Sequence, residues 1–222
     1  MIRAIAFDFD GVLVESVEVK TRAVASLFAA EGAEHVQDIL DYHLKHLGVS
    51  RFEKFRIIYR DILKRPLTEE QSRSLGERFS KLVFDEVVAA PWVDGAEEFL
   101  STHCECYPFF VISGTPEEEL KEIIRRRGMN KYFSEVLGAP RSKEELLCEI
   151  MMRHRLAPLE LVFVGDSGTD WIAARETGIP FIWRRASSEM PRPRGFSGPG
   201  ISSLAHLQAC LLALEKQEVL KG

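Results

Sequence analysis

Two aspartates, two residues apart, follow the first apolar segment of the chain. Asp8 and Asp10 stand in Asp8-Phe9-Asp10-Gly11-Val12, directly after the apolar run Ile2–Phe7. In a loop that follows a strand, two such carboxyl groups can take different tasks. One can attack phosphorus as a nucleophile, and the other can exchange protons with a leaving oxygen and with water. The alternative interpretation is an ordinary acidic turn after a strand.

Polar residues also follow two later apolar segments. Ser113-Gly114-Thr115 comes after Tyr107–Ile112, and Gly165-Asp166-Ser167-Gly168-Thr169-Asp170 comes after Leu161–Val164. Lys143 lies between them, in a segment that leads into a predicted helix. Ligands of open α/β sheets bind beyond the carboxyl ends of the strands, so we expect these residues to meet Asp8 and Asp10 at one edge. Taken singly, each group has an ordinary explanation as a turn, a helix start or a surface lysine.

Several carboxylates at one place predict a metal ion. Crowded carboxylates repel one another and resist ionisation, and a divalent cation relieves this. Hard oxygen ligands select Mg²⁺, which commonly bridges to a substrate phosphate. In such a site Lys143 would supply a positive charge and Ser113 a hydrogen bond to a phosphoryl group.

Apolar runs alternate with helical patterns over most of the chain. Strands are predicted at Ile2–Phe7, Tyr107–Ile112, Glu135–Leu137, Leu161–Val164 and Ile179–Trp183. Helices between and after the later strands are predicted at Pro116–Arg127, Ser142–His154, Asp170–Glu176 and Ala205–Gln217, with a loop at Pro191–Gly200. This order predicts an α/β fold with a Rossmann-like, three-layer core around a parallel sheet.

A stretch with almost no strand signal interrupts this alternation. Helices are predicted there at Val17–Ala30, Val36–His46, Arg51–Leu63 and Glu69–Val88. We therefore predict a core domain of residues 1–14 and 89–222, and an inserted α-helical domain of residues 15–88, called the insert below.

Composition excludes several classes of protein. The 222 residues are 45% hydrophobic and 28% charged, which is typical of a globular chain. Lys and Arg number 29 against 34 Asp and Glu, a net charge of −5 that argues against a general nucleic-acid binder. No apolar run approaches the ~20 residues of a membrane span, and the apolar N-terminal run is too short for a secretory signal. We expect a cytoplasmic protein without nucleic-acid or membrane partners.

The four cysteines form no C-x-x-C pair and are expected to be reduced thiols packed as small apolar residues.

The four motifs, in this order, resemble those of the haloacid dehalogenase (HAD) superfamily of phosphohydrolases. Asp8-Phe9-Asp10-Gly11-Val12 matches the first motif, D-x-D-x-T/V, and Ser113 and Lys143 match the second and third. Gly165-Asp166-Ser167-Gly168-Thr169-Asp170 matches the fourth, G-D-x-x-x-D. The resemblance covers essentially the whole chain. In two departures, Glu144 follows Lys143 where many relatives have Pro, and Glu15 stands where many have Asp.

The resemblance implies roles for the acidic residues. Asp8 would be the nucleophile, forming an aspartyl-phosphate, and a Mg²⁺ ligand. Asp10 would be the general acid and base and would ligate Mg²⁺ through its backbone carbonyl. Asp166 would ligate the metal, and Asp170 would ligate it or orient its waters.

It also implies roles for residues that hold the substrate. Ser113 and the Gly114 amide would bind phosphoryl oxygens, and Lys143 would steady the phosphate and Asp8. The insert looks like the helical cap of this family, which closes over the site and helps to choose the substrate.

The predicted function is hydrolysis of a small phosphorylated metabolite, such as a sugar phosphate or phosphoglycolate, by a Mg²⁺-dependent monomer or homodimer. The alternative is a phosphomutase, because the first motif and the segment Gly48-Val49-Ser50-Arg51 resemble β-phosphoglucomutase. That mutase has His where this chain has Lys20. A receiver domain phosphorylated on Asp is a third possibility, disfavoured by the large insert.

Basic residues of the insert have two interpretations. They are His43, Lys45, His46, Arg51, Lys54 and Arg56. We expect Arg51, before the others, to reach the site and bind a second anionic group, and most of the rest to form a solvated helix face. Lys20 could also face the site. Arg184, Arg185, Arg192 and Arg194 are expected in a surface loop, and Phe52, Phe55, Phe79 and Phe84 in the apolar core.

Overall fold

A parallel β-sheet of six strands presents its loops along one edge. The computed structural model describes residues 1–186 and 192–219. The strands are β1 (Ala4–Phe7), β2 (Phe109–Pro116), β3 (Glu135–Ala139), β4 (Leu161–Gly165), β5 (Phe181–Arg184) and β6 (Gly200–Ile201), in the order β3-β2-β1-β4-β5-β6. All pairs are parallel. Because β1 lies between β2 and β4, the loops after these three strands are neighbours.

Alternating side chains of the strands enter two apolar cores, one on each face of the sheet. On β1, Ala4 and Ala6 pack in the cluster that contains the apolar residues of α7 and α8. Ile5 and Phe7 point the other way, into the cluster with α5, α6 and α9. These helices span α5 (Ala96–His103), α6 (Glu117–Arg126), α7 (Lys143–His154), α8 (Gly168–Thr177) and α9 (Leu207–Val219). The prediction of a three-layer α/β core is confirmed.

The insert consists of helices between β1 and α5. They are α1 (Val17–Leu27), α2 (Ala33–Lys45), α3 (Arg51–Ile57) and α4 (Glu69–Ala89). Phe55 is central to their packing, with ring centroids 6.1 Å from Phe28 and 6.4 Å from Phe79 in edge contacts. Burial of Phe55 and Phe79 agrees with the core prediction, whereas Phe52 is exposed. The boundaries 15 and 88 of a separate domain stay a prediction.

Some elements differ from the sequence prediction. The helix expected over Arg51–Leu63 is α-helical only to Ile57 and continues as a π-helical turn over Ile58–Ile62. Helix α5 and strand β6 were not predicted, since eight and two residues carry little periodic signal. Cys106 and Cys148 are exposed, so packing as apolar residues is wrong for these two. Pro191, the first residue of the predicted loop, lies outside the described residues.

Within residues 1–186 and 192–219, no helix combines the length and apolarity needed to cross a bilayer.

Candidate active site

The loop after β1 turns tightly against the loop after β4. Asp8 is 2% exposed, and its Oδ1 accepts a hydrogen bond of 2.7 Å from the Phe9 amide. Gly11 has φ +75°, and a Cβ at this position would lie 2.3 Å from Asp166 Oδ2. Glycine is therefore required both by the backbone conformation and by the approach of the Asp166 carboxylate.

Three buried carboxylates meet at this edge and fit a divalent cation. Asp8, Asp166 and Asp170 each place one oxygen within 4.8 Å of the others. Asp166 Oδ2 is buried and has no hydrogen-bond partner in the described part of the chain. Burial raises the pKa of Asp8 to about 7, against the opposing charge of Lys143, and burial together with the Asp8 charge raises that of Asp166. A cation placed among these oxygens would offset both burial and repulsion.

Lys143 lies between two of these carboxylates. Its Nζ is 3.0 Å from Asp8 Oδ2 and 2.5 Å from Asp170 Oδ1. Burial would lower the pKa of Lys143, but Asp170 and Asp8 raise it above its usual value, so the ammonium stays charged. Helix α7 begins at this residue because Ser142 caps it, accepting from the Glu145 amide. Asp170 is also held by Ser167, whose amide and hydroxyl donate to its Oδ2 at 3.0 and 2.5 Å.

The Asp10 side chain lies outside the group of three. It accepts a hydrogen bond of 2.6 Å from the Ser16 hydroxyl and another from Lys20 Nζ, and Thr115 Oγ1 lies 3.3 Å away. Burial would raise the pKa of Asp10, but the Lys20 charge together with the hydrogen bonds from Lys20 and Ser16 outweighs burial and lowers the pKa. Lys20 therefore faces the site, and the predicted metal contact through the Asp10 carbonyl stays a prediction.

The end of β2 meets the insert. Ser113 is 2% exposed, and its Oγ accepts a hydrogen bond of 3.1 Å from the Thr115 amide. A Cβ on Gly114 would lie 2.4 Å from the Gly48 carbonyl oxygen. Nearby, Thr169 Oγ1 donates to the Leu47 carbonyl at 2.7 Å. Through these contacts the insert packs directly against the loops that carry the second and fourth motifs.

A small cavity lies between the insert and the sheet edge. Its volume is about 70 Å³, a fraction of the ~300–1,000 Å³ typical of ligand pockets. Asp8, Asp10, Ser113, Gly114 and Asp166 line its floor. The structure is therefore a closed arrangement, and entry of a substrate requires the insert to move.

Four basic residues line the cavity: Lys20, His43, Arg51 and Lys54. Arg51 has its guanidinium already bound, to Glu119 at 2.5 and 2.9 Å and to Ser80 Oγ at 2.6 Å. Its predicted binding of a substrate anion stays a prediction. The expectation of a solvated face is wrong for His43 and Lys54, which are 4% and 8% exposed. They are buried because this face of the insert covers the site.

Arg184 is a supporting residue that the sequence prediction placed wrongly in a surface loop. It is the last residue of β5, 3% exposed, and its Nη1 donates to the Gly11 carbonyl at 2.9 Å. Its Nη2 binds Glu15 Oε1 at 2.5 Å. Neighbouring Trp183 donates from Nε1 to the Asp166 carbonyl at 3.1 Å. Arg184 follows an apolar run just as Ser113 and Asp166 do, but this position alone does not indicate that the side chain is buried.

Comparisons with known proteins agree with this geometry. The family model for haloacid dehalogenase-like hydrolases matches residues 2–178. The phosphorylated carbohydrates phosphatase of Thermotoga maritima is 25% identical over 82% of this chain and 84% of its own length. The phosphoglycolate phosphatase of Vibrio parahaemolyticus is 28% identical over 80% of this chain and 81% of its own.

A solved structure with the same fold is CbbY from Rhodobacter sphaeroides in complex with xylulose-1,5-bisphosphate. It superposes with a TM-score of 0.74 at 18% identity, over 93% of this chain and 96% of that one. Since the family model matches most of the chain, the predicted family and the predicted enzyme class are confirmed. The chain belongs to the haloacid dehalogenase-like hydrolase family.

Proposed function

We propose that this hydrolase is a Mg²⁺-dependent phosphatase of a small phosphorylated metabolite, such as a sugar phosphate or phosphoglycolate. The observation that carries the proposal is the position of the buried Asp8 carboxylate. Its Oδ2 lies 3.0 Å from Lys143 Nζ, and it is grouped with carboxylate oxygens of Asp166 and Asp170. The names of the two curated relatives, which act on phosphorylated carbohydrates and phosphoglycolate, support this class of substrate.

The reaction begins with attack of an Asp8 oxygen on phosphorus. The new Asp8 O–P bond forms as the bond from phosphorus to the substrate oxygen breaks, and Asp10 protonates the leaving oxygen. Water then attacks the phosphorylated Asp8 while Asp10 accepts a proton, which releases inorganic phosphate and restores the carboxylate. The Lys20 ammonium beside Asp10 favours its carboxylate form, which accepts the proton in the second step. The proton that Asp10 gives up in the first step is the one that the second step returns to it.

Groups around Asp8 bind the phosphoryl oxygens. Lys143 carries a charge that stays in place throughout, and the Ser113 hydroxyl and Gly114 amide are hydrogen-bond donors at the end of β2. Mg²⁺, held by Asp8, Asp166, Asp170 and the Asp10 carbonyl, would neutralise negative charge on the transferring group. The insert covers this exchange at the sheet edge and limits access to the water that the second step requires.

A phosphomutase is the second candidate. Both enzymes begin with Asp8, and they differ in whether water or a sugar hydroxyl takes the phosphoryl group. The Gly48 segment, whose sequence resembles that of β-phosphoglucomutase, contacts Gly114 beside the residues proposed to bind the phosphoryl group, and this placement favours the mutase. Incubation with β-glucose 1-phosphate and a bisphosphate primer separates the two, since a mutase yields an isomer and no free phosphate.

Hydrolysis of p-nitrophenyl phosphate tests the proposal. We expect release that requires Mg²⁺, and a fall of roughly 1,000-fold or more in kcat for Asp8→Asn, because the amide keeps the shape and is no nucleophile. The matched control is Asp38→Asn on the exposed face of α2, which should retain activity. Turnover that Asp8→Asn leaves unchanged would exclude the aspartyl-phosphate.

From composition, we further propose a cytoplasmic monomer or homodimer without nucleic-acid or membrane partners. Size-exclusion chromatography with light scattering tests the oligomeric state.

A further inference from the structure

One lysine in the wall of the cavity lacks the carboxylate partner that Lys20 and Arg51 have. Lys20 binds Asp10, and Arg51 binds Glu119. Lys54 is 8% exposed, yet no carboxylate oxygen of residues 1–186 or 192–219 lies within 4.0 Å of its Nζ. Lysine is almost never fully buried unless it is paired, because an uncompensated charge is costly in a protein interior.

The hydrogen bond that Lys54 does make identifies a second donor. Its Nζ lies 3.2 Å from His43 Nδ1. Burial lowers the pKa of Lys54 to about 7, so an anion beside Nζ would favour its ammonium form. That form can only donate, so Nδ1 accepts, and the neutral ring carries its hydrogen on Nε2. That nitrogen is buried, and none of the described residues accepts from it. Burial and the Lys54 charge lower the pKa of His43 to about 3, consistent with a neutral ring.

Within residues 1–186 and 192–219, no carboxylate oxygen lies within 4.0 Å of Lys54 Nζ and nothing accepts from His43 Nε2, although Asp10 and Asp166 line the same cavity. The neighbouring wall of the cavity consists of apolar residues of the insert: Val24, Phe55, Ile58 and Phe79. Two donors, one of them cationic, in an apolar wall match the chemistry of an oxyanion, which accepts from both and neutralises the charge.

We propose that Lys54 and His43 form a subsite for a second anionic group of the substrate, remote from the phosphoryl group that Asp8 attacks. The group is a carboxylate or a second phosphoryl group. The proposal rests on the proposed function, and it moves the recognition of this anion from Arg51 to Lys54. Arg51 is the weaker candidate because the Glu119 carboxylate already balances its charge through two hydrogen bonds.

Paired ligands that differ only in the second anion test the subsite. We would measure dissociation constants by calorimetry in the Asp8→Asn background, which separates binding from turnover. One pair is 2-phosphoglycolate and 2-hydroxyethyl phosphate, which probes a carboxylate. The other is glucose 1,6-bisphosphate and glucose 6-phosphate, which probes a second phosphoryl group.

We expect the anionic member of at least one pair to bind about 10- to 100-fold more tightly, and Lys54→Met to abolish most of this preference. Lys54→Arg should retain much of it, because the charge remains. The matched control is Lys45→Met, which removes an exposed lysine of the same insert and should leave the preference unchanged. Lys54→Gln provides a second neutral variant if Lys54→Met does not fold.

Three results would overturn the subsite: no preference in either pair, a preference that survives both neutral variants, or no detectable binding of any of the four ligands. A wild-type protein that binds with the expected preference and hydrolyses no phosphate ester would instead refute the proposed function alone. The two failures are therefore distinguishable.

Discussion

Replacing Gly48 by alanine should prevent the insert from closing. Gly48 has φ +80°, and a Cβ on it would lie 2.3 Å from Thr169 Oγ1, 2.9 Å from Ser167 Oγ and 3.1 Å from Lys143 Nζ. These three atoms belong to the loops and helices that carry the third and fourth motifs. An added methyl group would therefore occupy the contact between the insert and the core.

Two costs add up in the closed arrangement. The left-handed backbone conformation costs a residue with a Cβ about 1–2 kcal/mol. The clash also separates Thr169 from the Leu47 carbonyl, a hydrogen bond of 2.7 Å in this structure, whose loss costs about 1 kcal/mol. Together they disfavour closure by about 2–3 kcal/mol, which lowers kcat/KM by roughly 30- to 150-fold if catalysis requires the closed insert.

Gly32→Ala is the matched control. Gly32 also lies in the insert with a positive φ, +86°, but a Cβ there meets nothing within 4 Å. Because Gly32 is not part of the contact between the insert and the core, its backbone cost lowers stability without acting on closure, and it lacks the clash. We expect a lowered Tm for both variants and a loss of kcat/KM toward p-nitrophenyl phosphate for Gly48→Ala alone. Equal activity of the two variants would refute the requirement for this contact.

Three further predictions concern the metal and its supporting residues. Asp166→Asn should weaken activation by Mg²⁺ about 10-fold or more, because it removes a metal ligand. It should also raise the Tm of the metal-free protein, because a buried carboxyl group whose pKa is raised on folding destabilises the folded state at neutral pH. An unchanged Mg²⁺ titration would contradict this. Since the folded-state pKa of Asp8 is raised to about 7, a bound cation must displace a proton at lower pH, so the rise in Tm on adding Mg²⁺ should be larger at about pH 8 than at about pH 6; equal rises would be inconsistent with this. Arg184→Met should lower the Tm by about 2–10 °C through loss of the Gly11 and Glu15 contacts, whereas Arg185→Met, an exposed neighbour, should not; similar Tm values for the two variants would argue against the supporting role.

The floor of the site was predictable because its residues obey a local rule. Asp8, Ser113 and Asp166 each follow an apolar run, and a parallel sheet brings the ends of such runs together regardless of loop length. Lys143 was predicted as a site residue from its position between the second and fourth motifs, and it does lie beside Asp8. Strand β1 pairs in parallel with both β2 and β4, so the loops that carry these motifs lie side by side, as their positions after apolar runs predict.

The wall of the site was not predictable in the same way. His43 and Lys54 lie on helices whose periodicity says which residues share a face, but not that the face covers a sheet edge formed by distant residues. Arg184 was misplaced because its partners, Gly11 and Glu15, are about 170 positions away in the chain. Burial of a charged side chain depends on such distant partners, and no local pattern encodes them.

The charges on the two sides of the cavity indicate that the insert and the core bind different groups of the same substrate. On the core side, Asp8, Asp166 and Asp170 face one ammonium group, that of Lys143, so the ionised site carries two excess negative charges that a divalent cation would balance. On the insert side, Lys20 and Arg51 are each paired with a carboxylate. Lys54 has no carboxylate partner among residues 1–186 and 192–219, and burial lowers its pKa to about 7. A phosphate ester with a second anion would supply a partner for Lys54 on the insert while its phosphoryl group lies beside Asp8 on the core. Binding energy from the remote end of the substrate would thus favour closure, which in turn excludes water from the phosphoryl group at Asp8.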